Sequence, residues 1–268
     1  MQALWRGAIN FGLISIPVRL FSATEEKTLR FNMLHKDDDG RIRFNRTCSV
    51  CGKSDLTKDD FARGYEYEKG AYVKFTDEEL SNVEIETSHS VEVVHFTPSE
   101  QIDPIYYQKS YYLAPDELGI KAYALLRKAL IDTDRVAIAK VAIRDKERLA
   151  TLRVRDDVLV LETMFWPDEI RAAHFPEVGG DIEVREQELK MAQTLIANLT
   201  EDFNPDAFHD SYREALMEAV EQKIAGKEIV APAVAEEAPQ VVDLTEALKR
   251  SLEEVKARSG SAKKASGE

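Results

Sequence analysis

The stretch that decides the fold is Trp5–Leu20, which reads WRGAINFGLISIPVRL. From Ile14 to Phe21 the chain combines apolar, β-branched residues with an alternating pattern, which is typical of a half-buried strand. Similar character recurs in three further runs: Arg41–Phe44, Val91–Phe96 and Val158–Leu161. These runs predict a β-rich body that extends from Ala8 to about Val184.

Helical periodicity interrupts this body twice. The pattern predicts helices at Thr76–Asn82 and Gly119–Leu130. Between Arg135 and Arg155 apolar residues alternate again, which predicts two strands around a turn at Arg144–Glu147. The expected fold class is therefore α+β, with strands dominating.

The C-terminal part is predicted to be helical. Apolar residues at a spacing of about 3.6 predict one amphipathic helix over Leu189–Leu199 and a second over Phe208–Ile224, with Pro205 near its start and Gly226 after its end. A proline-containing linker follows, and a last helix is predicted at Asp243–Arg258. These changes divide the chain into a β-rich core at 1–184, a helical arm at 185–226, a linker at 227–242, and the terminal helix with a polar tail at 243–268.

Charge is distributed unevenly along the chain. The formal net charge is −13, yet residues 1–160 carry 24 Lys and Arg against 26 Asp and Glu, whereas residues 161–268 carry 12 against 23. Two stretches are locally basic: 27–53 has 7 basic and 3 acidic residues, and 135–155 has 7 and 2. Because DNA binding depends on Lys and Arg that displace condensed counterions, these stretches are candidates for a nucleic-acid surface. The alternative is that they are ordinary solvated faces.

The protein is expected to work in the cytoplasm. No apolar run approaches the roughly 20 residues that cross a bilayer, and the first residues lack the basic-then-apolar layout of a secretory signal. Cys48 and Cys51 are the only cysteines in the sequence, and they are too few and too close for the disulfide framework of a secreted domain. Both observations favour a reducing compartment.

Cys48 and Cys51 form half of a zinc-ribbon signature within the run Cys48–Lys53. A tetrahedral structural site needs four ligands, so the two thiolates require two more. His35 with another group is one source, and the same two cysteines of a second copy of the chain are another. The alternative is two reduced cysteines in a turn with no metal, in which case the protein has no cofactor.

The sequence offers no coherent catalytic site. Phosphate-binding and dinucleotide-binding glycine loops and the H-E-x-x-H zinc motif are absent from it. The five histidines are scattered, and His95 on a predicted strand lacks a partner nucleophile. The run Asp37–Gly40 is typical of a turn. Of the E-x-K triplets that a two-metal nuclease could use, Glu25–Lys27 has no Asp before it, and the three at 188–190, 221–223 and 254–256 lie on predicted helices. A non-enzymatic protein is expected.

Several runs follow one another in a characteristic order and spacing. They are Trp5–Leu20, His35–Lys36, Arg41–Arg43, Cys48–Lys53, Ile102–Tyr107, Tyr111–Pro115, Lys121–Arg127, Phe203–Asp206 and Tyr212–Leu216. From Trp5 to about Gly226 the sequence closely resembles the bacterial Ku family of non-homologous end-joining proteins. The resemblance implies a β-barrel core with a bridge and a C-terminal helical arm, and two copies that form a ring around duplex DNA. It implies no catalytic activity.

The resemblance also implies a function and partners. A Ku-like protein binds the ends of double-stranded DNA at the nucleoid without reading sequence, and it recruits and stimulates the multidomain ATP-dependent ligase D during double-strand break repair. Binding of this kind should use phosphate contacts, because phosphates carry no direct sequence information. The residues expected to make these contacts are Arg41, Arg43, Arg46 and Lys53 in the bridge, and Lys140, Arg144, Arg148 and Arg153 in the later strands.

The terminal helix is the candidate for contact with the ligase. One of its faces is lined by Leu244, Leu248, Leu252 and Val255. The alternative is that this face folds back on the core of the same chain.

Two rival functions belong to other classes. A metal-dependent nuclease would cleave linear duplex DNA when Mg²⁺ or Mn²⁺ is added. A zinc-containing transcription regulator would prefer one sequence over another, on closed circles as well as on linear DNA. A ring that threads onto DNA ends should instead bind linear DNA of any sequence and should not bind closed circles.

Overall fold

Seven strands close into a β-barrel in the computed structural model, which describes residues 1–83, 90–143, 146–178, 180, 182–227 and 244–253. The strands and helices of this part of the chain are β1 (Trp5–Phe11), β2 (Ile14–Ser22), β3 (Arg63–Glu68), β4 (Ala71–Phe75), α1 (Asp77–Ser81), β5 (Ser90–Thr97), β6 (Tyr107–Pro115), α2 (Ile120–Thr133), β7 (Val136–Ile143), β8 (Lys146–Arg155) and β9 (Val158–Met164). Around the barrel the order is β1–β2–β6–β9–β8–β7–β5, and β5 closes the circle by pairing with β1. The α+β, β-rich fold class is confirmed.

The barrel interior is apolar because alternate side chains along each strand point inward. On β2, the residues Ile16, Val18 and Leu20 are fully buried at every second position. The corresponding buried residues of the other strands are Ile9, Val91, Leu113, Ala137, Ala139, Val141, Ala150, Leu152, Leu159 and Leu161. Burial of each large aliphatic side chain contributes about 1.5–3 kcal/mol, so this cluster holds the barrel together.

Helix α2 packs on the core through Tyr123, Leu126 and Leu130, which recur at helical spacing and are buried. The Tyr123 hydroxyl donates to the Leu113 carbonyl at 2.7 Å and accepts from the Leu159 amide, also at 2.7 Å. Leu113 and Leu159 are cross-strand partners on β6 and β9. The phenol therefore satisfies one backbone group on each strand and fixes the helix to both.

Between β2 and β5 the chain leaves the barrel and returns to it. β2 ends beside the start of β1, because the two strands are antiparallel and Leu20 pairs with Trp5. β5 also begins beside β1, with Ser90 paired to Ala8. The intervening chain therefore starts and finishes at the same end of the barrel. Its described residues, 24–83, are named the bridge segment here.

The bridge segment has local structure but no core of its own. Strands β3 and β4 pair as a hairpin, and Gly70 takes the positive φ of +82° that its turn requires. Thr76 caps α1 by accepting a hydrogen bond from the Glu79 amide at 3.1 Å. None of the side chains described in this segment is buried. Within the subunit, the described part of this segment is therefore stabilised by local hydrogen bonds and exposed contacts, without a packed interior.

The strand predicted at Arg41–Phe44 is wrong. Arg41 pairs with Leu34 at a single antiparallel position, and the Ile42 amide donates to the Met33 carbonyl at 3.0 Å. Residues 42–44 belong to no strand. The run alternates as a strand does, but within the described residues no neighbouring strand lies beside it to continue the backbone pairing.

The other predicted elements of the first part are confirmed. The strand runs at Ile14–Phe21, Val91–Phe96 and Val158–Leu161 lie in β2, β5 and β9, and the helices predicted at Thr76–Asn82 and Gly119–Leu130 are α1 and α2. Strands β7 and β8 are the two strands predicted between positions 135 and 155. Of the predicted turn at Arg144–Glu147, Lys146 and Glu147 belong to β8, and residues 144 and 145 lie outside the described residues.

The chain divides into two compact units, Met1–Ala172 and Ala173–Glu268. The second unit contains the predicted helices α3 (Glu186–Leu199) and α4 (Ser211–Ile224), and a helical segment at 244–253, named the terminal helix here. In the part of the chain that the structure describes, no helix is both long enough and apolar enough to cross a membrane.

Helix boundaries in the second unit follow from capping. Helix α4 begins at Ser211, later than the predicted Phe208, because the Asp210 carboxylate caps it by accepting from the Arg213 amide at 2.9 Å. The predicted Gly226 follows its end with a φ of +71°. The terminal helix confirms the prediction at 244–253, while Asp243 and residues 254–258 lie outside the described residues.

Candidate nucleic-acid interface

The basic residues predicted to contact DNA fall on two parts of the first unit. Four of them, Arg41, Arg43, Arg46 and Lys53, lie on the bridge segment. Three others, Lys140, Arg148 and Arg153, lie on the neighbouring barrel strands β7 and β8. Arg144 lies outside the described residues.

The three arginines of the bridge segment that were predicted to contact DNA have no carboxylate partner among the described residues. Arg41 donates to the side-chain oxygen of Asn32, which is neutral. The Arg46 guanidinium lies 5.0 Å from the centre of the Phe61 ring, a contact that leaves its charge uncompensated. Arg43 is exposed and has no side-chain partner among the described residues. All three guanidinium groups are therefore available to an anion from outside the subunit.

Lys53 differs from these arginines because a carboxylate neutralises it. Its ammonium group lies 2.6 Å from Asp60, which also accepts from the Thr57 amide at 3.0 Å. The hydrogen bond from Lys53, followed by those from Thr57, holds the pKa of the Asp60 carboxyl below its ordinary value. Lys53 therefore fixes the local chain, and its charge is less available to a phosphate.

The barrel candidates are divided in the same way. Lys140 lies 3.7 Å from the Glu147 carboxylate, which faces it diagonally across β7 and β8. Arg148 donates instead to the side-chain oxygen of Gln108 at 2.8 Å, and this amide leaves its charge free. Arg148 is thus the stronger candidate of the two.

Arg153 forms the tightest ion pair of the barrel wall. Its Nε and Nη2 donate to the two carboxylate oxygens of Glu162 at 2.7 and 2.8 Å, and Ser110 donates to the same carboxylate at 3.0 Å. Hydrogen bonding to Arg153 lowers the pKa of Glu162 although burial opposes the shift, and the pKa of Arg153 is raised by the same bond. This bidentate geometry commits Arg153 to the wall between β8 and β9.

The structure therefore sorts the described candidates by their partners. Arg41, Arg43, Arg46 and Arg148 present charge that no carboxylate among the described residues compensates. Lys53, Lys140 and Arg153 are each paired with an acid. The free set consists of arginines alone, whose planar fork of donors suits the oxygens of a phosphate.

Sequence reasoning left out several exposed cations of the bridge segment, and Lys74 is one of them. Lys74 lies on β4 opposite Gly64, and no partner is recorded for it among the described residues. Counting charge in windows hid it, because Glu66 and Glu68 on the adjoining strand balance the local total. The alternation of Tyr72 and Lys74 along β4 was the signal that could have found it.

The cysteine pair lies in a tight loop of the bridge segment. The Cys48 amide donates to the Lys53 carbonyl and the Gly52 amide donates to the Cys48 carbonyl, both at 2.9 Å, and Gly52 has a φ of +71°. The backbone amides of Cys51 and Val50 donate to the Cys48 sulfur, which lowers the pKa of this thiol. His35, the other residue considered as a ligand, lies 2.8 Å from Asp38 through its Nδ1. No group of three potential metal ligands occurs among the described residues.

Comparison with known proteins decides the family. Residues 10–191 match the model of the Ku70/Ku80 beta-barrel domain. The chain belongs to the Ku family. The match covers most of the barrel strands and all of the bridge segment, so the resemblance seen in the sequence is confirmed.

Curated relatives agree with this assignment. The chain is 47% identical over 252 residues to the non-homologous end joining protein Ku of Frankia casuarinae, covering 94% of this chain and 63% of that protein. It is 40% identical over 267 residues to the non-homologous end joining protein Ku of Mycobacterium tuberculosis, covering 97% of this chain and 96% of that one. The protein of the same name from Heliobacterium modesticaldum is 43% identical over 257 residues, covering 96% and 93%. The chain thus spans less than two thirds of the Frankia protein and nearly all of the other two.

Replacing Glu162 by Gln is expected to destabilise the barrel by about 1–3 kcal/mol at pH 7, because it leaves the partly buried Arg153 without its counter-ion. The lowered pKa of Glu162 in the folded state means that its carboxylate stabilises the protein above the unfolded pKa of about 4.3. That contribution is lost as the pH falls through the folded pKa. Urea unfolding curves at neutral pH and at about pH 3 should therefore show the gap between wild type and variant closing in acid.

The matched control is Asp157→Asn, which removes the exposed partner of Arg127 at 2.6 Å. Its effect should stay within about 0.5 kcal/mol, because surface ion pairs contribute little. Equal losses for the two variants would contradict a special role for the Arg153–Glu162 pair.

Proposed function

We propose that this Ku-family chain binds the ends of double-stranded DNA as a homodimeric ring, without reading sequence, in non-homologous end joining. The observation that carries the proposal is the set of uncompensated arginines on a segment that has no core of its own. The names of the curated relatives supply the repair pathway. In this proposal the protein acts by binding and holding ends in the cytoplasm, at the nucleoid, and no covalent step is assigned to it.

Sequence-independent binding follows from the chemistry of the free charges. Arginine side chains on the bridge segment and on β8 offer forked donors to phosphate oxygens, and each contact displaces a condensed counterion. Contacts of this kind fix the position of a duplex but carry no sequence information. If these arginines contact phosphates, the protein should therefore bind a duplex of any sequence, provided that the duplex has an accessible end.

A second copy of the chain is proposed because it would bury apolar side chains that the bridge segment exposes. A two-stranded hairpin is marginally stable in water, and the segment exposes large apolar side chains that a free subunit would leave in solvent. These include Phe31, Met33, Phe44, Tyr65, Tyr67 and Tyr72, each at least 58% exposed. The segment leaves and re-enters the barrel at one end, so it is free to reach a partner. An isologous contact between two such segments would both bury these residues and close a ring.

Recruitment and stimulation of the multidomain ATP-dependent ligase D are proposed for the terminal helix. On the predicted apolar face Leu244 is 59% exposed, Leu248 and Leu252 are partly buried, and Val255 lies outside the described residues. The Thr245 hydroxyl donates to Glu188 at 3.3 Å, so this helix contacts arm helix α3. Leu244 therefore remains on the surface for a partner while the helix is held in place.

Arg43→Gln should weaken binding to a short linear duplex and lower the salt dependence of binding by about two in log–log slope, one for each copy in the dimer. Lys53→Gln is the matched control: it removes the same charge from the same segment, but Asp60 already neutralises that lysine, so a smaller change is expected. Mobility shifts at several salt concentrations measure both variants. Unlabelled competitors of unrelated sequence should compete equally for each protein.

The same assay separates the proposed function from its rivals. A linear duplex should compete for the protein, and the same DNA as a covalently closed circle should not. Equal competition by circles would contradict end binding, and preference for one sequence would support a transcription regulator instead. Cleavage of the labelled duplex on addition of Mg²⁺ or Mn²⁺ would support a nuclease.

Leu244→Asp should abolish stimulation of end joining by ligase D and leave DNA binding unchanged, because it places a charge on the exposed apolar position of the terminal helix. Glu246→Gln, which alters a neighbouring exposed side chain of the same helix, is the control and should retain stimulation. The yield of joined linear DNA measures both. Full stimulation by a variant with all three described leucines changed to Asp would contradict this docking site.

A further inference from the structure

The end of the barrel from which the bridge segment leaves carries a basic residue that the sequence did not single out. The bridge segment follows Ala23, whose amide donates to the Ser110 carbonyl of β6 at 3.1 Å. Lys109 precedes Ser110 and is exposed, and its ammonium group lies 5.6 Å from the centre of the Tyr111 ring. An aromatic ring does not neutralise a cation. Lys109 therefore presents its charge beside the first residues of the bridge segment.

Arg148 reaches β6 at the same end of the barrel. Its neighbour Leu149 pairs with Met164, the last residue of β9, so Arg148 lies one position beyond the end of that strand. It donates to the side-chain oxygen of Gln108 at 2.8 Å. Gln108 is the extra residue where the register of β6 on β9 shifts, and a bulge of this kind changes the direction of a side chain. The hydrogen bond thus joins the start of β8 to the start of β6, next to Lys109.

Lys146 adds a third cation at the start of β8. Side chains two positions apart on a strand lie on the same face, so Lys146 and Arg148 share one. Glu147 lies between them on the other face and pairs with Lys140 at 3.7 Å. Lys146 is exposed, and none of the cations Lys109, Lys146 and Arg148 has a carboxylate partner among the described residues.

Cations at the opposite end of the barrel are mostly neutralised. β6 starts at the bridge end and leads into α2 at the other end. The ion pairs on and beside α2 are Arg127–Asp157 at 2.6 Å, Arg19–Asp116 at 2.8 Å, Lys128–Asp132 at 3.4 Å and Arg155–Asp156 at 3.7 Å. Lys121, exposed in the first turn of α2, is an exception without a carboxylate partner among the described residues. Uncompensated charge is therefore concentrated at the bridge end of the barrel.

We propose that Lys109, Lys146 and Arg148 form a phosphate-binding patch at the bridge end of the barrel, in which Gln108 positions Arg148. The inference rests on the proposed function and adds to it the end of each barrel that faces the duplex. Lysine ammonium groups and the arginine fork both bind phosphate oxygens, and each contact displaces a condensed counterion. Gln108 suits its role because its neutral oxygen orients the guanidinium group without cancelling the charge. The α2 end then points away from the DNA.

Charge removal tests the patch against the opposite end of the barrel. Lys109→Gln should weaken binding to a short linear duplex and lower the log–log salt slope by about two, one for each copy in the dimer. Lys121→Gln removes the same charge from α2 and should leave the slope unchanged. Mobility shifts at several salt concentrations measure both, and thermal unfolding checks that both fold. Equal effects of the two variants would overturn the patch.

The role of Gln108 is tested by two substitutions of opposite kind. Gln108→Glu keeps the size of the side chain and supplies a carboxylate to Arg148, so the salt slope should fall by about two. Gln108→Ala removes the hydrogen bond but leaves the arginine charged, so the slope should fall less. Gln101→Glu makes the same chemical change in the turn after β5, at the α2 end, and should have no effect. A greater loss with alanine than with glutamate would overturn the positioning role.

Chemical labelling of the wild-type protein tests the patch without any substitution. Lysines are acetylated by an activated ester in the absence and presence of saturating linear duplex, and the modified sites are read by mass spectrometry. DNA should protect Lys109 and Lys146, whereas Lys121 should react equally in both samples. The same preparation is tested for competition by closed circles. Exclusion of circles with Lys109 unprotected would overturn the patch alone, whereas equal competition by circles would overturn the proposed function.

Discussion

The parallel pairing of β1 with β5 is the contact on which the rest of the first unit depends. It joins only three residue pairs, from Ala8–Ser90 to Asn10–Glu92, and the Asn10 amide reinforces it by donating to the Glu92 carboxylate at 2.7 Å. Without it the barrel would have two open edges and an exposed apolar interior. Because β5 must lie beside β1, the bridge segment has to leave and return at one end of the barrel. Closure therefore places this segment, with its arginines, at a defined position.

The basic residues that have a carboxylate partner differ in their role from those that have none. Arg153 and Lys53 are matched to carboxylates, and they hold the barrel wall and the cysteine loop in place. Arg41, Arg43 and Arg46 have no acidic partner among the described residues, and no described side chain of their segment is fully buried. In the proposed function, such a segment is stabilised by the phosphates of the duplex and by a second copy of the chain. The acidic total of −13 thus conceals a local surface that suits DNA.

The sequence predicted the elements whose signals are local. Alternation identified β2, β5 and β9, helical spacing identified α2 and both arm helices, and the long match at Trp5–Leu20 indicated the family. Failures arose where partners are distant in sequence. The run Arg41–Phe44 has the alternation of a strand but no neighbouring strand among the described residues. Arg153 is paired with Glu162 whereas Arg43 has no such partner among the described residues, and this difference cannot be read from the residues next to either arginine in the sequence. The closure of β1 on β5, separated by the whole bridge segment, was equally invisible to pattern reading.

The central claim is that two chains enclose the duplex, and trapping on blocked DNA tests it most directly. Protein is loaded onto a linear duplex with biotin at both ends, streptavidin is added to block the ends, and the salt concentration is raised until phosphate contacts are screened. A closed ring predicts that protein stays on the blocked duplex at a salt concentration that removes it from the same duplex with open ends. Equal loss from blocked and open DNA would show that the protein sits on the surface of the duplex, and it would contradict the account.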